Sequence, residues 1–154
     1  MAHYYFDSSA LVKRYVAETG TAWVNRVCAA SSGHTIYTVR ISGAEIVSAL
    51  FRRAQAGAFA LSDAQAAAAS FKADFASHFQ IVEVTTRLVD NAMALAERHH
   101  LRGYDAVQLS AALELQTIRA SLALPTVTFV CADTKLNLTA VAESLSIENP
   151  NAYP

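Results

Sequence analysis

Two cysteines, Cys28 and Cys131, are all that this chain of 154 residues contains. Neither belongs to a CxxC pair, which excludes the usual zinc and redox motifs and leaves two reduced, mostly buried thiols. Histidine is no more helpful. The five present show no HExxH spacing, and the adjacent His99 and His100 cannot share a helix face to grip a metal. Charge is sparse: 16% of residues are charged and 53% are hydrophobic, with a formal net charge of −1. Such a chain is not disordered, and it is not a general polyanion binder, which would be clearly basic. Long apolar runs are missing too, since Gln108, Ser110 and Glu114 interrupt the longest well short of the roughly 20 residues of a membrane span. The first residues lack a basic region followed by an apolar one, so no membrane and a cytoplasmic location are the default expectation.

What is present is alternation. The length fits one domain over residues 1–154. Apolar spacing and punctuation predict strands near 3–6, 35–39, 80–84 and 127–131, with a short last one near 146–148. Helices are expected near 8–16, 20–31, 41–56, 62–78, 86–99, 104–119 and 134–144, with Ser62-Asp63-Ala64-Gln65 as a capping box for the fourth. Strands separated by helices imply an α/β fold, a three-layer α/β/α domain around a central, mainly parallel sheet of 4–5 strands. The hairpin of 41–56 and 62–78 is expected to project from that sheet and offer a partner surface.

Four acids then stand out. Asp7 follows the strand His3-Tyr4-Tyr5-Phe6, and Asp133 follows Thr128-Phe129-Val130-Cys131-Ala132. A carboxylate at the carboxyl end of a parallel strand points into the crevice where such sheets bind ligands. Glu45 lies among Ile41, Ser42, Ser48 and Ala49 with no cation one turn away. Asp105 opens a helix that is apolar on nearly every side. Each has a plain alternative: Asp7 and Asp133 as helix N-caps, Asp105 as a first-turn acid favoured by the helix dipole, Glu45 as a solvated edge. Together they form a set without local counter-charge. Clustered acids stay ionised only beside a cation or with raised pKa values, and Mg²⁺ or Mn²⁺ is the hard ion that oxygen ligands suit.

The motifs also carry a family resemblance. Tyr5-Phe6-Asp7-Ser8-Ser9-Ala10-Leu11-Val12-Lys13 followed by Glu18-Thr19-Gly20, then Ile41-Ser42-Gly43-Ala44-Glu45, then Leu101-Arg102-Gly103-Tyr104-Asp105, then Phe129-Val130-Cys131-Ala132-Asp133 resemble, in order, PIN-domain proteins. The likeness is strongest to the VapC-type toxins of toxin–antitoxin pairs. It implies a PIN-like fold and a Mg²⁺- or Mn²⁺-dependent endoribonuclease, with Asp7, Glu45, Asp105 and Asp133 as metal-binding and catalytic acids. It implies that Ser9 orients a water or a phosphate oxygen. The partners it implies are an RNA substrate, a VapB-like antitoxin and a second copy in a homodimer. Two departures from the family pattern stand away from the acids: Ser144 where glycine is common, and Cys131 where serine is common.

Cations near the acids, Lys13, Arg14, Arg40 and Arg102, are candidates for RNA phosphate contacts, with Arg52 and Arg53 extending the rim. Tyr15, Tyr37 and Tyr104 are candidates for base stacking. Two rival readings remain open. One is a phosphatase or phosphotransferase with Asp7 as nucleophile, although Ser9 occupies the place of the second acid that chemistry wants. The other is a non-catalytic PIN-like binding module.

Overall fold

A computed structural model describes all residues 1–154. The chain runs β1 (His3–Phe6), α1 (Ser8–Leu11), α2 (Thr21–Val27), β2 (Thr35–Val39), α3 (Ser42–Gln55), α4 (Leu61–Ser77), β3 (Gln80–Val82), α5 (Thr86–His99), α6 (Gly103–Ser121), β4 (Thr128–Val130), α7 (Thr134–Ala142) and β5 (Ser146–Glu148). The five strands form one sheet in the order β3-β2-β1-β4-β5, and every pairing is parallel. Tyr5 of β1 lies beside Tyr37 of β2 and Phe129 of β4.

Strand alternation splits the core into two halves. Phe6 faces α1–α4, joining Leu11, Val24, Ile46, Leu50 and Phe71. Tyr5 faces α5–α7, joining Leu88, Leu109, Phe129 and Leu136. Neighbouring residues of one strand point to opposite faces, so a four-residue strand holds both helical layers to the sheet. The expected three-layer, mainly parallel α/β architecture is therefore present. The order of strands reverses at β1: the chain moves outward through β2 and β3, then returns to place β4 on the other side. That reversal opens a crevice at the carboxyl ends of β1 and β4.

Several boundaries differ from expectation, each for a local reason. The first helix is α-helical only to Leu11, then tightens into a 3-10 turn over Val12–Arg14. The second stops at Val27, and a separate 3-10 turn spans Ala30–Ser32. There the Ser32 hydroxyl donates to the Val27 carbonyl and accepts from His34 N–H, a side chain competing with the helical backbone. The capping box is absent: α4 begins at Leu61 behind Ala60, without a side-chain cap, and Ser62 lies inside the first turn. α7 ends at Ala142, and Ser144 follows with φ +66°, the left-handed geometry that explains why glycine suits that position. The α3–α4 hairpin presses Ile46, Leu50, Ala68 and Phe71 into the core, with Phe59 of its connection packed against them and Ala56, Gly57 and Ala58 exposed at the tip. Both cysteines are free and buried. No helix is long and apolar enough to cross a membrane.

Candidate active site

Asp7 and Asp133 occupy similar places, one residue past β1 and three residues past β4 at the crevice, each capping the helix that follows. Asp7 accepts from Ala10 N–H at 3.0 Å, and Asp133 accepts from Leu136 N–H at 2.8 Å. The N-cap reading therefore holds for both. The surroundings differ. Asp133 is exposed, whereas Asp7 keeps only 3% of its surface.

Ser9 Oγ lies 2.8 and 2.9 Å from the two Asp7 oxygens, and the Cys131 thiol lies 3.2 Å from Oδ2, so Cys131, expected to stand away from the acids, touches one because the strand-end loops of β1 and β4 are neighbours. A serine hydroxyl has one proton, so it satisfies one of those oxygens and leaves a lone pair of the other open. Ser9 also accepts from Ala132 N–H at 3.0 Å, which ties the loop after β4 to the loop after β1. Ser9, expected to orient a water or a phosphate oxygen, thus contacts the Asp7 carboxylate. Burial drives the Asp7 carboxyl up to about 6, helped by the nearby charge of Glu45 and opposed by the Ser9, Cys131 and Ala10 donors.

Glu45 reaches the same crevice from the first turn of α3. Gln108 Nε2 donates to its Oε1 at 2.7 Å and Ser8 Oγ to its Oε2 at 3.0 Å. Gln108 is itself buried and held by the Tyr5 hydroxyl at 2.9 Å and by Ser42 Oγ at 2.9 Å. Burial raises the Glu45 pKa, the Gln108 and Ser8 donors pull it back, and the charge of Asp105 raises it further. Asp105, half-buried in the first turn of α6, is raised by burial and then by Asp133, while Arg102 and Lys135 oppose the rise. The four acids thus form a series, each sensing the next: Asp7, Glu45, Asp105, Asp133.

None of the four lies in an ion pair. Every salt bridge in the molecule uses another acid: Glu18, Asp74, Glu83, Glu114 or Glu143. The remaining unpaired acids Asp63, Asp90 and Glu97 are exposed, and Glu148 accepts from the Tyr153 hydroxyl. Acids that are both unpaired and shielded from water thus collect at this crevice.

The four are not gathered into one cage. Glu45 and Asp105 line a cavity of about 610 Å³. Ser8, Ser9 and Glu45 line a second of about 690 Å³. Asp105 and Asp133 face each other across a third of about 140 Å³ with Arg102 and Lys135. No three carboxylate, histidine or cysteine groups stand close enough to hold one ion between them. An all-protein cage is not what magnesium requires, since it keeps several waters and takes one or two carboxylates plus substrate phosphates. Unpaired oxygen donors in adjacent pairs fit such an ion.

Of the candidate cations, Arg102 lies beside Asp105 and Asp133, and Lys13 lines the cavity of Glu45. Arg14 is turned to Asp74 at 2.9 Å, and Arg40 is engaged by Glu83 over the ring of Phe75. Gln108 and Ser8 were not among the expected site residues. A signal for Gln108 existed in the sequence, as the amide one turn after Asp105 on an otherwise apolar helix.

A PIN-domain family model matches residues 4–137. No curated protein matches the sequence. Among solved structures, the chain is similar in fold to PAE2754 from Pyrobaculum aerophilum, with 20% identity over 90% of this chain and 84% of that one and a TM-score of 0.59. It is also similar to a chain of VapBC2 from Rickettsia felis, solved bound to a DNA fragment from the promoter, with 16% identity over 96% and 98% and a TM-score of 0.62. With the family model running from the first strand into the last helix, the chain belongs to the PIN-domain family.

Proposed function

We propose that this chain is a metal-dependent endoribonuclease, acting as one domain over residues 1–154. The observation that carries the reading is the crevice itself, where Asp7, Glu45 and Asp105, unpaired and partly or fully shielded from water, stand with the exposed Asp133 at the switch point of a parallel sheet. Asp7, Glu45, Asp105 and Asp133 would hold Mg²⁺ or Mn²⁺. Bound there, the ion supplies an activated water at neutral pH and offsets charge on the phosphate oxygens.

The chain's own residues prepare that site. Ser9 and the Ala10 N–H fix Asp7, and Gln108 with Ser8 aims Glu45. Arg102, which lines a small cavity with Asp105 and Asp133, would take a phosphate oxygen of the substrate. The expected products are a 5′-phosphate and a 3′-hydroxyl. No protein nucleophile is needed. For Asp7 as a phosphoryl acceptor the geometry is poor, because it is buried and its oxygens are already contacted by Ser9, Cys131 and Ala10.

The fold likeness to a chain of VapBC2 supports the finer reading of a toxin silenced by a VapB-like antitoxin, in a homodimer. Acids that lie in no ion pair would attract a partner's guanidinium on electrostatic grounds. The test is cleavage of a structured RNA panel by the purified chain in Mg²⁺ or Mn²⁺, with sequencing of the RNA ends. Metal-dependent cuts that vanish in Asp7→Asn and Asp105→Asn are expected. Full activity in excess EDTA, or in either variant, overturns the reading.

A further inference from the structure

We propose that the amino-terminal end of the sheet, at the pole opposite the acidic crevice, holds a small oxyanion of the phosphate class, bound by Arg119, Tyr37 and His3. Three charged side chains are buried in this molecule: Asp7, Lys13 and Arg119. Asp7 belongs to the crevice, and Lys13 is answered by Glu18 at 3.0 Å. Arg119 keeps only 5% of its surface and lies in no ion pair. A buried charge is ordinarily paired, because removing it from water without a partner is costly.

Part of the guanidinium has a structural task. Arg119 lies in the last turn of α6, where the helix dipole favours a cation. Its Nε–H donates to the Pro125 carbonyl at 2.6 Å, fastening the connection to β4, and its Nη1 donates to the Tyr37 hydroxyl at 3.1 Å. These bonds use two of the five N–H groups, and both acceptors are neutral. Nη2 has no partner in the chain and stays open to solvent. A clasp on Pro125 accounts for the Nε side. It leaves the Nη edge, and a guanidinium grips phosphate oxygens through such a pair of parallel N–H groups.

Two further unsatisfied groups stand beside that edge. Tyr37, a candidate for base stacking, instead lies under the guanidinium, with its ring centroid 5.9 Å from Cζ. Its hydroxyl accepts from Arg119, and its own proton has no acceptor. The His3 ring lies 6.4 Å from that of Tyr37, and His3 Nδ1 is buried without a partner. Burial, then Arg119, then the amino terminus lower the His3 pKa, and no acid enters the balance. Donors thus gather here on one residue each of β1, β2 and α6, with no acceptor between them. A carboxylate would offer two oxygens in one plane, enough for a single fork. A phosphate offers three strong acceptors in different directions, which suits donors arriving from three elements.

This site is separate from the crevice. Asp105 lies in the first turn of α6 and Arg119 in its last, about 21 Å apart along the axis. The anion is therefore not the scissile phosphate, and the reading stands whether or not the crevice cuts RNA.

The experiment is a titration of the full chain with inorganic phosphate, in EDTA and at constant ionic strength, followed through the side-chain NMR signals of His3 and of Arg119 Nε–H. A saturable shift of both is expected, with none when chloride replaces phosphate. Tyr37→Phe, which removes one hydroxyl, weakens binding by about tenfold. Arg119→Lys keeps the charge but loses the fork, and weakens it at least as much. A nucleoside 5′-monophosphate titrated in parallel identifies the source: tighter binding than phosphate assigns the site to a phosphomonoester, and equal or weaker binding assigns it to the free anion. Signals that ignore phosphate, that follow chloride equally, or that saturate with an unchanged Kd in Tyr37→Phe overturn the proposal.

Discussion

Asp74 and Asp7 are the same residue under opposite constraints. Asp74, on the flank where α4 meets the turn after α1, accepts from Arg14 Nε at 2.9 Å and the Tyr15 hydroxyl at 2.7 Å, and those partners hold its carboxyl below the ordinary range against the effect of burial. Asp7, at the strand end, has only hydroxyl, thiol and backbone donors, and burial lifts it to about 6. The same division runs through the molecule. Glu83 and Glu143 are lowered by arginine and histidine partners, while Glu45 and Asp105 are raised by burial and by one another. Acids on the flanks tie helices together; Asp7, Glu45 and Asp105 at the crevice are shielded from water with no ion-pair partner in the chain.

The sharpest way to test that division is catalysis. Asp105→Asn is expected to reduce RNA cleavage by on the order of a hundredfold or more, whereas Asp74→Asn retains the rate per folded molecule. Initial rates in Mn²⁺ decide it.

Stability is expected to move in opposite directions. The Asp7 pKa is raised in the folded state from 3.8 to about 6. Folding therefore favours its protonated form, and the charge opposes folding fully above about pH 6. By linkage the cost is about 3 kcal/mol, so Asp7→Asn gains up to that much in urea unfolding at pH 8 and nothing at pH 3. Asp74 has the lowered case. Its contribution is present above the ordinary value of 3.8 and is lost as pH falls through the folded value. Asp74→Asn loses about 1–3 kcal/mol of hydrogen bonding to charged groups at neutral pH. If both variants shift in the same direction, the division is wrong.

Metal affinity should follow the same carboxyl. Asp7 must shed its proton to ligate, so the apparent Kd for Mn²⁺ weakens by about tenfold per unit below pH 6, with proton release visible by calorimetry in buffers of different ionisation heat. The smallest effect is expected on the flank. Arg40→Gln breaks the exposed pair with Glu83 and should leave melting and RNA affinity unchanged, since Arg40 is already engaged by Glu83. A marked loss of RNA affinity would return Arg40 to the substrate path.

The layered fold was legible because its signals are local and periodic. β1 is apolar and aromatic, α6 is apolar on almost every side, and the punctuation at Gly57 and Pro125 falls between elements. Helix ends were less legible where a hydroxyl takes over a backbone bond, as Ser32 does, or where no cap exists, as before Leu61. Asp7 and Asp133 were found by their places after strands, Asp105 by its apolar helix, and Glu45 by the lack of a cation within a helical turn. Their positioning groups were hidden for the complementary reason. Ser8 and Gln108 reach Glu45 across 37 and 63 residues of chain, and no spacing rule connects positions so far apart. The cations divided on the same ground, since Asp74 and Glu83 claim Arg14 and Arg40 only once the fold brings them together.

Gln108 leaves Glu45 little freedom. Its carbonyl oxygen takes the Tyr5 proton, so its nitrogen is obliged to point at Ser42 and Glu45. Orientation at the reacting edge is thus dictated from the centre of the sheet, through an amide that cannot turn over without abandoning a tyrosine. Tyr5→Phe would remove no atom from the crevice, yet it would leave the Gln108 oxygen buried without its donor and loosen the amide that aims Glu45. Mutational surveys of this protein should therefore look for lost activity at an interior aromatic that no substrate ever meets.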